Sequence, residues 1–163
     1  MKGTTIGSLQ NKLPKPPPHG PYIQSAHAIL LLGGDYVLQL RDDKSTIAAA
    51  GQWALFGGME KPDETPLQAI KREVYEELSI EPDYYRYLWF MDYFSSFEKA
   101  IIRTWFFISD VTSVWPTHNL QEGQAVSTFR FEQIASLEMP PVMRQTIERF
   151  HQQYEKKMTL YEN

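Results

Sequence analysis

Glu73, Glu76 and Glu77 place three carboxylates within five positions, downstream of a glycine pair at Gly57-Gly58. On an α-helix these acids stand at i, i+3 and i+4 and share one face. Like charges that close repel and weaken the helix. A bound cation removes that cost, and hard carboxylate oxygens converging on one point suit Mg²⁺ or Mn²⁺ rather than zinc. The glycines lack Cβ atoms, so the backbone there can come close to an ion or a phosphate. The plainer use of such a run is a solvated acidic helix face that binds nothing.

The helix that carries the acids has clear start and stop signals. Thr65 suits the N-cap, Pro66 the first helical position, and Gln68 completes a capping box. Leu67, Ile70, Val74 and Leu78 form one apolar stripe. Projected at ~100° per residue, the acidic face is centred roughly 110° from that stripe, at the rim of the buried side. Ser79 is the expected C-terminal cap, where the left-handed conformation costs a serine on the order of 1 kcal/mol relative to glycine. Pro62-Asp63 marks a turn before the helix.

Residues 26–32 and 36–41 read as a hairpin of buried strands around Gly33-Gly34-Asp35. Arg41 ends the second strand and opens a polar loop to Gln52, where it could hold a phosphate or pair with Asp42 or Asp43. Trp53 to Phe56 is a short strand running into the glycines. Tyr84 to Phe94 and Ala100 to Ser109 read as long paired strands. They belong to a segment, Tyr84 to Phe107, that holds eleven of the 22 aromatic residues. This is the composition of a sheet covered on both faces, with a base-stacking platform as the other use. A loop ending at Glu122 leads to a strand at 126–131 and a short helix at 131–137. The last helix carries Met143, Ile147, Phe150 and Tyr154 at core spacing. Residues 1–21 form a proline-rich arm, 22–158 the folded domain and 159–163 a tail.

The stretch from Gly58 to Ile80 resembles the Nudix box: Gly58, Glu64, Arg72, Glu73, Val74, Glu76, Glu77 and Ile80 all match, and Ser79 departs where the family has glycine. Phe56 and Asp63 also differ from residues common in relatives, proline and glycine respectively. The resemblance implies an α/β/α sandwich with a mixed β-sheet between helices, and Mg²⁺-dependent hydrolysis of a diphosphate bond, with Mn²⁺ as a substitute. It implies that Glu73, Glu76 and Glu77 bind metal, together with the Gly57 carbonyl. Arg72 would orient the acids, Glu64 would hold the loop, and Glu73 or Glu122 would act as the base. Arg41 and Gly58 are the substrate-binding candidates.

The expected partner is a small nucleotide. The net charge of −4 and the lack of a long basic run argue against nucleic acid as a partner. No stretch is apolar enough for a membrane span. No cysteine is present, which excludes disulfides and thiol catalysis and fits a cytoplasmic, reducing compartment. A homodimer is compatible with the resemblance. The substrate is less legible. Relatives that cleave ADP-ribose tend to carry a proline near Phe94-Ser95-Ser96, and diadenosine-polyphosphate relatives a tyrosine slightly further on. Neither is present, nor is a coenzyme A signature. Nucleoside diphosphate sugars and (d)NTPs, including oxidised ones, remain as candidates beside a catalytically silent binding module.

Overall fold

The structure, a computed structural model, describes residues 23–161, with side chains through residue 155; the proline-rich arm lies outside the described residues. Strand β1 (Ile23–Leu32) turns at Gly33-Gly34 into β2 (Asp35–Leu40). After a loop come β3 (Trp53–Ala54) and β4 (Phe56–Met59), then helix α1 (Pro66–Leu78). Strands β5 (Arg86–Ser95) and β6 (Ala100–Asp110) follow, then a 3₁₀ turn, β7 (Ala125–Phe129), the short α2 (Phe131–Ile134) and the long α3 (Pro141–Tyr161).

β1 is the spine of the sheet. One edge runs parallel to β6 from Ile23↔Ile102 to Leu31↔Asp110. Its other edge is divided: Leu30 to Leu32 pair with β2, and Ser25 to Ala28 pair with β4, both antiparallel. β2 diverges from β1 and pairs instead with β3 through Gln39 and Leu40, and along its outer edge with β7. The segment from Trp53 to Met59 therefore crosses the split, its first half on β2 and its second on β1. The glycine pair sits in that crossing.

Alternation of side chains gives each face its own core. Ala26, Ala28, Leu30, Val37, Phe56, Trp105 and Phe107 pack with Ile70, Val74 and Leu78 of α1. Ile29, Leu38, Leu55, Trp89 and Phe106 pack with Ile134, Met143, Ile147 and Phe150 of α2 and α3. This is the expected α/β/α sandwich around a mixed sheet.

The α1 signals act as read. Thr65 caps the helix and exchanges both capping-box bonds with Gln68, and Ser79 takes the left-handed conformation at φ 55°, ψ 32°. Three expectations need correction. Tyr154 is 50% exposed rather than core, because no buried residue follows Phe150 on the described part of α3. β6 is covered on both faces, but β5 is the edge strand, and Phe94 and Ile101 at the outer end of the pair are exposed. The last strand stops at Phe129 because Arg130 already caps α2, its N–H donating to the Gln133 side chain at 2.8 Å.

Replacing Ser79 with glycine keeps the cap and removes the left-handed penalty. Urea unfolding should show a gain of about 1 kcal/mol with an unchanged denaturant slope.

Candidate active site

Arg72 is the hub of the acidic face of α1. Its Nε and Nη2 donate to the two oxygens of Glu64 at 2.6 and 3.0 Å. Nη2 also reaches the Met59 carbonyl at 3.0 Å, while Nη1 bridges Glu73 at 2.7 Å and Glu76 at 3.1 Å. Five contacts engage the five N–H groups that a guanidinium carries. Glu64 accepts in addition the Lys61 N–H at 2.8 Å, which closes the turn ahead of the helix. Hydrogen bonding to Arg72 holds the Glu64 carboxyl down at about 2, and the same contact raises Arg72 above its usual range. The structure thus places Arg72 against Glu73 and Glu76 and places Glu64 against Arg72 and the Lys61 backbone.

The three helix acids do not behave alike. Glu77 is 2% exposed and points at the sheet, where it accepts the Gly57 N–H at 2.9 Å and a bond from the Gln39 side chain. Glu73 is half-buried, and its carboxyl lies where a Cβ on Gly58 would stand, 2.7 Å from that position. Glu76 lies outermost, 43% exposed, with Lys61 as its second cationic neighbour at 3.8 Å. The helical projection placed all three at one rim; the sheet instead draws Glu77 inward, and Arg72 Nη1 occupies the space between the other two.

Both glycines are required by contact. Gly57 has φ 141°, and a Cβ there would meet the Ala26 carbonyl oxygen at 2.1 Å. It would also press on His27, whose buried imidazole is kept neutral by desolvation and by Arg41, its pKa lowered to about 3.

Glu122 is brought to the cluster by a strap. The Asn119 and Gln121 N–H groups donate to the Leu78 and Glu77 carbonyls at 2.8 Å each, satisfying acceptors that the end of α1 leaves open. Gln124 then binds the Leu40 carbonyl with its N–H and the Arg41 carbonyl with its side chain, both at 2.8 Å. A Cβ on Gly123 would come 2.9 Å from the Leu40 carbonyl oxygen. Glu122 stays exposed, and its charge raises the pKa values of both Glu73 and Glu77. Arg41 binds its own loop, Nε to the Ala48 carbonyl at 2.9 Å, and Asp42 pairs with Lys44 instead.

Burial raises Glu77 to about 8 and, with the neighbouring Glu64 charge, Glu60 to about 7. Glu73 moves the same way, from burial and from Glu76 and Glu122, against the pull of Arg72. Among the described residues, no three acid or histidine side chains stand together as a group that could hold a metal ion as they lie. The donor set nevertheless fits a hard divalent cation. The charges of Glu73 and Glu122 bear on Glu77, and that of Glu122 bears on Glu73, while the neighbouring cation, Arg72, is shared among Glu64, Glu73 and Glu76.

The family model for the NUDIX domain matches residues 21–150. The chain belongs to the NUDIX domain family. Its fold is similar to that of the MutT protein from Methanosarcina mazei Go1, at 26% identity over 83% of this chain and 97% of that one, with a TM-score of 0.70. It is also similar to the NUDIX domain of Shewanella oneidensis NrtR, solved with ADP ribose: 17% identity, 92% and 99% coverage, TM-score 0.69. A bifunctional NMN adenylyltransferase/ADP ribose pyrophosphatase from Francisella tularensis, solved with AMP and a manganese ion, shares 21% identity. That match covers 84% of this chain and 43% of the other, with a TM-score of 0.62. No curated protein sequence matches the chain.

As a Nudix hydrolase, the chain acts on pyrophosphate bonds. Its departures from the box are absorbed by the fold. Phe56 is fully buried against α1, and Asp63 and Ser79 take positive φ values of 66° and 55°. Among the described residues, no helix is long and apolar enough to cross a membrane. Sequence reasoning passed over Gln39 and Glu60. Gln39 had a signal: a polar residue in an apolar strand, at the parity of Val37, which faces α1.

These shifts set opposite pH dependences. Glu77 and Glu60 bind protons in the folded chain that the unfolded chain releases near 4.5, so metal-free stability falls as pH rises from about 4.5 toward 8. The Glu64 contribution is present above about 4.5 and is lost as pH falls toward 2. Denaturant midpoints in EDTA should therefore decline from pH 5 to pH 8, and Glu77→Gln should flatten that decline.

Proposed function

We propose that this Nudix hydrolase cleaves the diphosphate linkage of a nucleoside diphosphate derivative, a nucleoside diphosphate sugar or a similar compound, with Mg²⁺ as its cofactor and Mn²⁺ as a substitute. The observation that carries the reading is the placement of Glu73 and Glu77 against the Gly57-Gly58 backbone, one filling the space a Gly58 Cβ would need and the other accepting the Gly57 N–H, with the loop that carries Glu122 tied to the end of the same helix. Glu73 and Glu77, with Glu76 on the outer side and the Gly57 carbonyl, are the residues that would hold the cation. When bound, it withdraws charge from the phosphorus and steadies the leaving phosphate.

The chain's own groups supply the rest. Gly58, lacking a Cβ, lets the Glu73 carboxyl stand against the backbone, where a cation-bound phosphate of the substrate would meet it. Arg41, at the mouth of the β2 loop, offers positive charge to the substrate. Glu122, exposed on its strap, takes the proton from the attacking water as the new P–O bond forms and the bridging P–O bond breaks; Glu73 is the other group placed for that role. Arg72 holds Glu73 and Glu76 in register. The ADP ribose bound by the similar NrtR domain is of the proposed substrate class. The second reading, a (d)NTP pyrophosphatase, has the MutT likeness on its side.

A panel of nucleoside diphosphate sugars and normal and oxidised (d)NTPs, each with and without Mg²⁺, separates these readings. A nucleoside monophosphate with a sugar phosphate as products supports the proposal; a monophosphate with pyrophosphate supports the second reading. No Mg²⁺-dependent turnover on either class would leave a binding module. Glu73→Gln and Glu77→Gln should each lower kcat at least about 100-fold while the fold is kept. Full turnover in both variants would refute the metal assignment.

A further inference from the structure

We infer that Gln39 is a positioning residue of the metal site: its side-chain amide, with the Gly57 N–H, orients the Glu77 carboxylate so that each oxygen keeps one lone pair for a cation. The inference rests on reading Glu77 as a metal ligand and adds a residue outside the Nudix box.

Gln39 is 2% exposed on β2, on the face that packs against α1. Its Nε2 donates to the Leu55 carbonyl at 3.3 Å and to Glu77 Oε2. These two partners fix which way the amide points. The Leu55 carbonyl can only accept, so a flipped amide would set oxygen against oxygen. With one N–H on Leu55, the remaining N–H is aimed at Glu77. The other carboxylate oxygen, Oε1, receives the Gly57 N–H at 2.9 Å.

A carboxylate offers about four acceptor sites, two per oxygen. Here one site on each oxygen is filled by a fixed donor, which leaves one on each. The two donors come from different strands, β2 and β4, so the sheet sets the plane of the carboxylate and the helix does not. A glutamate on a free helix face would have to freeze its rotamers when the ion arrives. In this chain that ordering is complete beforehand. Outer partners that orient a ligand in this way typically contribute 10- to 100-fold in metal affinity. If Gln39 only satisfied buried polar groups, its loss would affect stability and leave metal affinity alone.

The test is Mn²⁺ binding to the full chain, followed by the electron paramagnetic resonance signal of free Mn²⁺, for the unaltered protein, Gln39→Met and Glu77→Gln. Methionine keeps the length of the side chain and removes the donor. Circular dichroism verifies the fold at the working temperature. The expected result is a 10- to 100-fold rise in the Mn²⁺ Kd for Gln39→Met and a loss at least as large for Glu77→Gln. A Gln39→Met Kd within twofold of the unaltered chain, with Glu77→Gln weakened, overturns the role of Gln39. Unchanged binding in Glu77→Gln overturns the ligand reading itself, and this inference with it. Should Gln39→Met fail to fold, the unaltered chain decides: the Gln39 side-chain amide resonances should shift during a Mg²⁺ titration, and fixed resonances refute the proposal.

Discussion

A carboxylate taken out of water costs several kcal/mol unless hydrogen bonds or a countercharge replace its hydration. Glu77 is in that position, and much of the site follows from how the fold answers it. Two donors from the sheet meet its oxygens, and both exist only because β2 and β4 separate at the split edge of β1. Burial keeps the Glu77 pKa elevated, and no cationic side chain among the described residues is seen to offset it. On the proposed function, the metal-free chain thus carries an electrostatic cost at a place where the cation would remove it. A catalytic centre that binds its ion reversibly needs such a reserve.

Arg72 answers the same problem differently. It is fully engaged, and three of its five contacts go to Glu64 and the Met59 carbonyl, on the turn that precedes the helix. The guanidinium therefore fastens the loop to the helix first and tempers Glu73 and Glu76 second. That division keeps the glycine crossing and the acids in a fixed relation without neutralising the buried Glu77. The strap from Asn119 to Gln124 works similarly at the other end of α1, using backbone N–H groups and the Gln124 side chain to hold an exposed acid across from buried ones.

Much of the local structure was legible in the sequence because its signals are short-range. The capping box at Thr65, the left-handed cap at Ser79 and the core stripe of α1 each depend on residues within one or two turns. What sequence could not give was the fate of each acid. A helical projection treats Glu76 and Glu77 as near equals, yet adjacent residues stand 100° apart, and only the position of the sheet decides which is buried. Gln39 was missed for the same reason, since its partner is 38 residues away. Glu122 was a candidate through the resemblance; the strap that positions it relies chiefly on main-chain atoms, with the Gln124 side chain, and has no sequence pattern. Arg41 was read as a phosphate or aspartate partner; the fold gives its Nε to the Ala48 carbonyl and pairs Asp42 with Lys44, while the phosphate role stays a proposal.

The divided edge of β1 bears also on how the chain reaches this state. The β1–β2 hairpin and α1 are local and can form early. The Ser25–Thr104 hydroxyl contact closes a separation of 79 residues, and β1 pairs with β6 along almost its whole length at that range. Closing so long a loop loses chain entropy before the pairing returns any energy, which makes such steps slow. The crossing that holds Gly57 pairs with β1 on the edge opposite β6, so the strand it rests on is itself braced by this late pairing, and the proposed metal-binding geometry is completed near the end of folding. A chain stalled with β6 undocked would own every residue of the motif and still have no site.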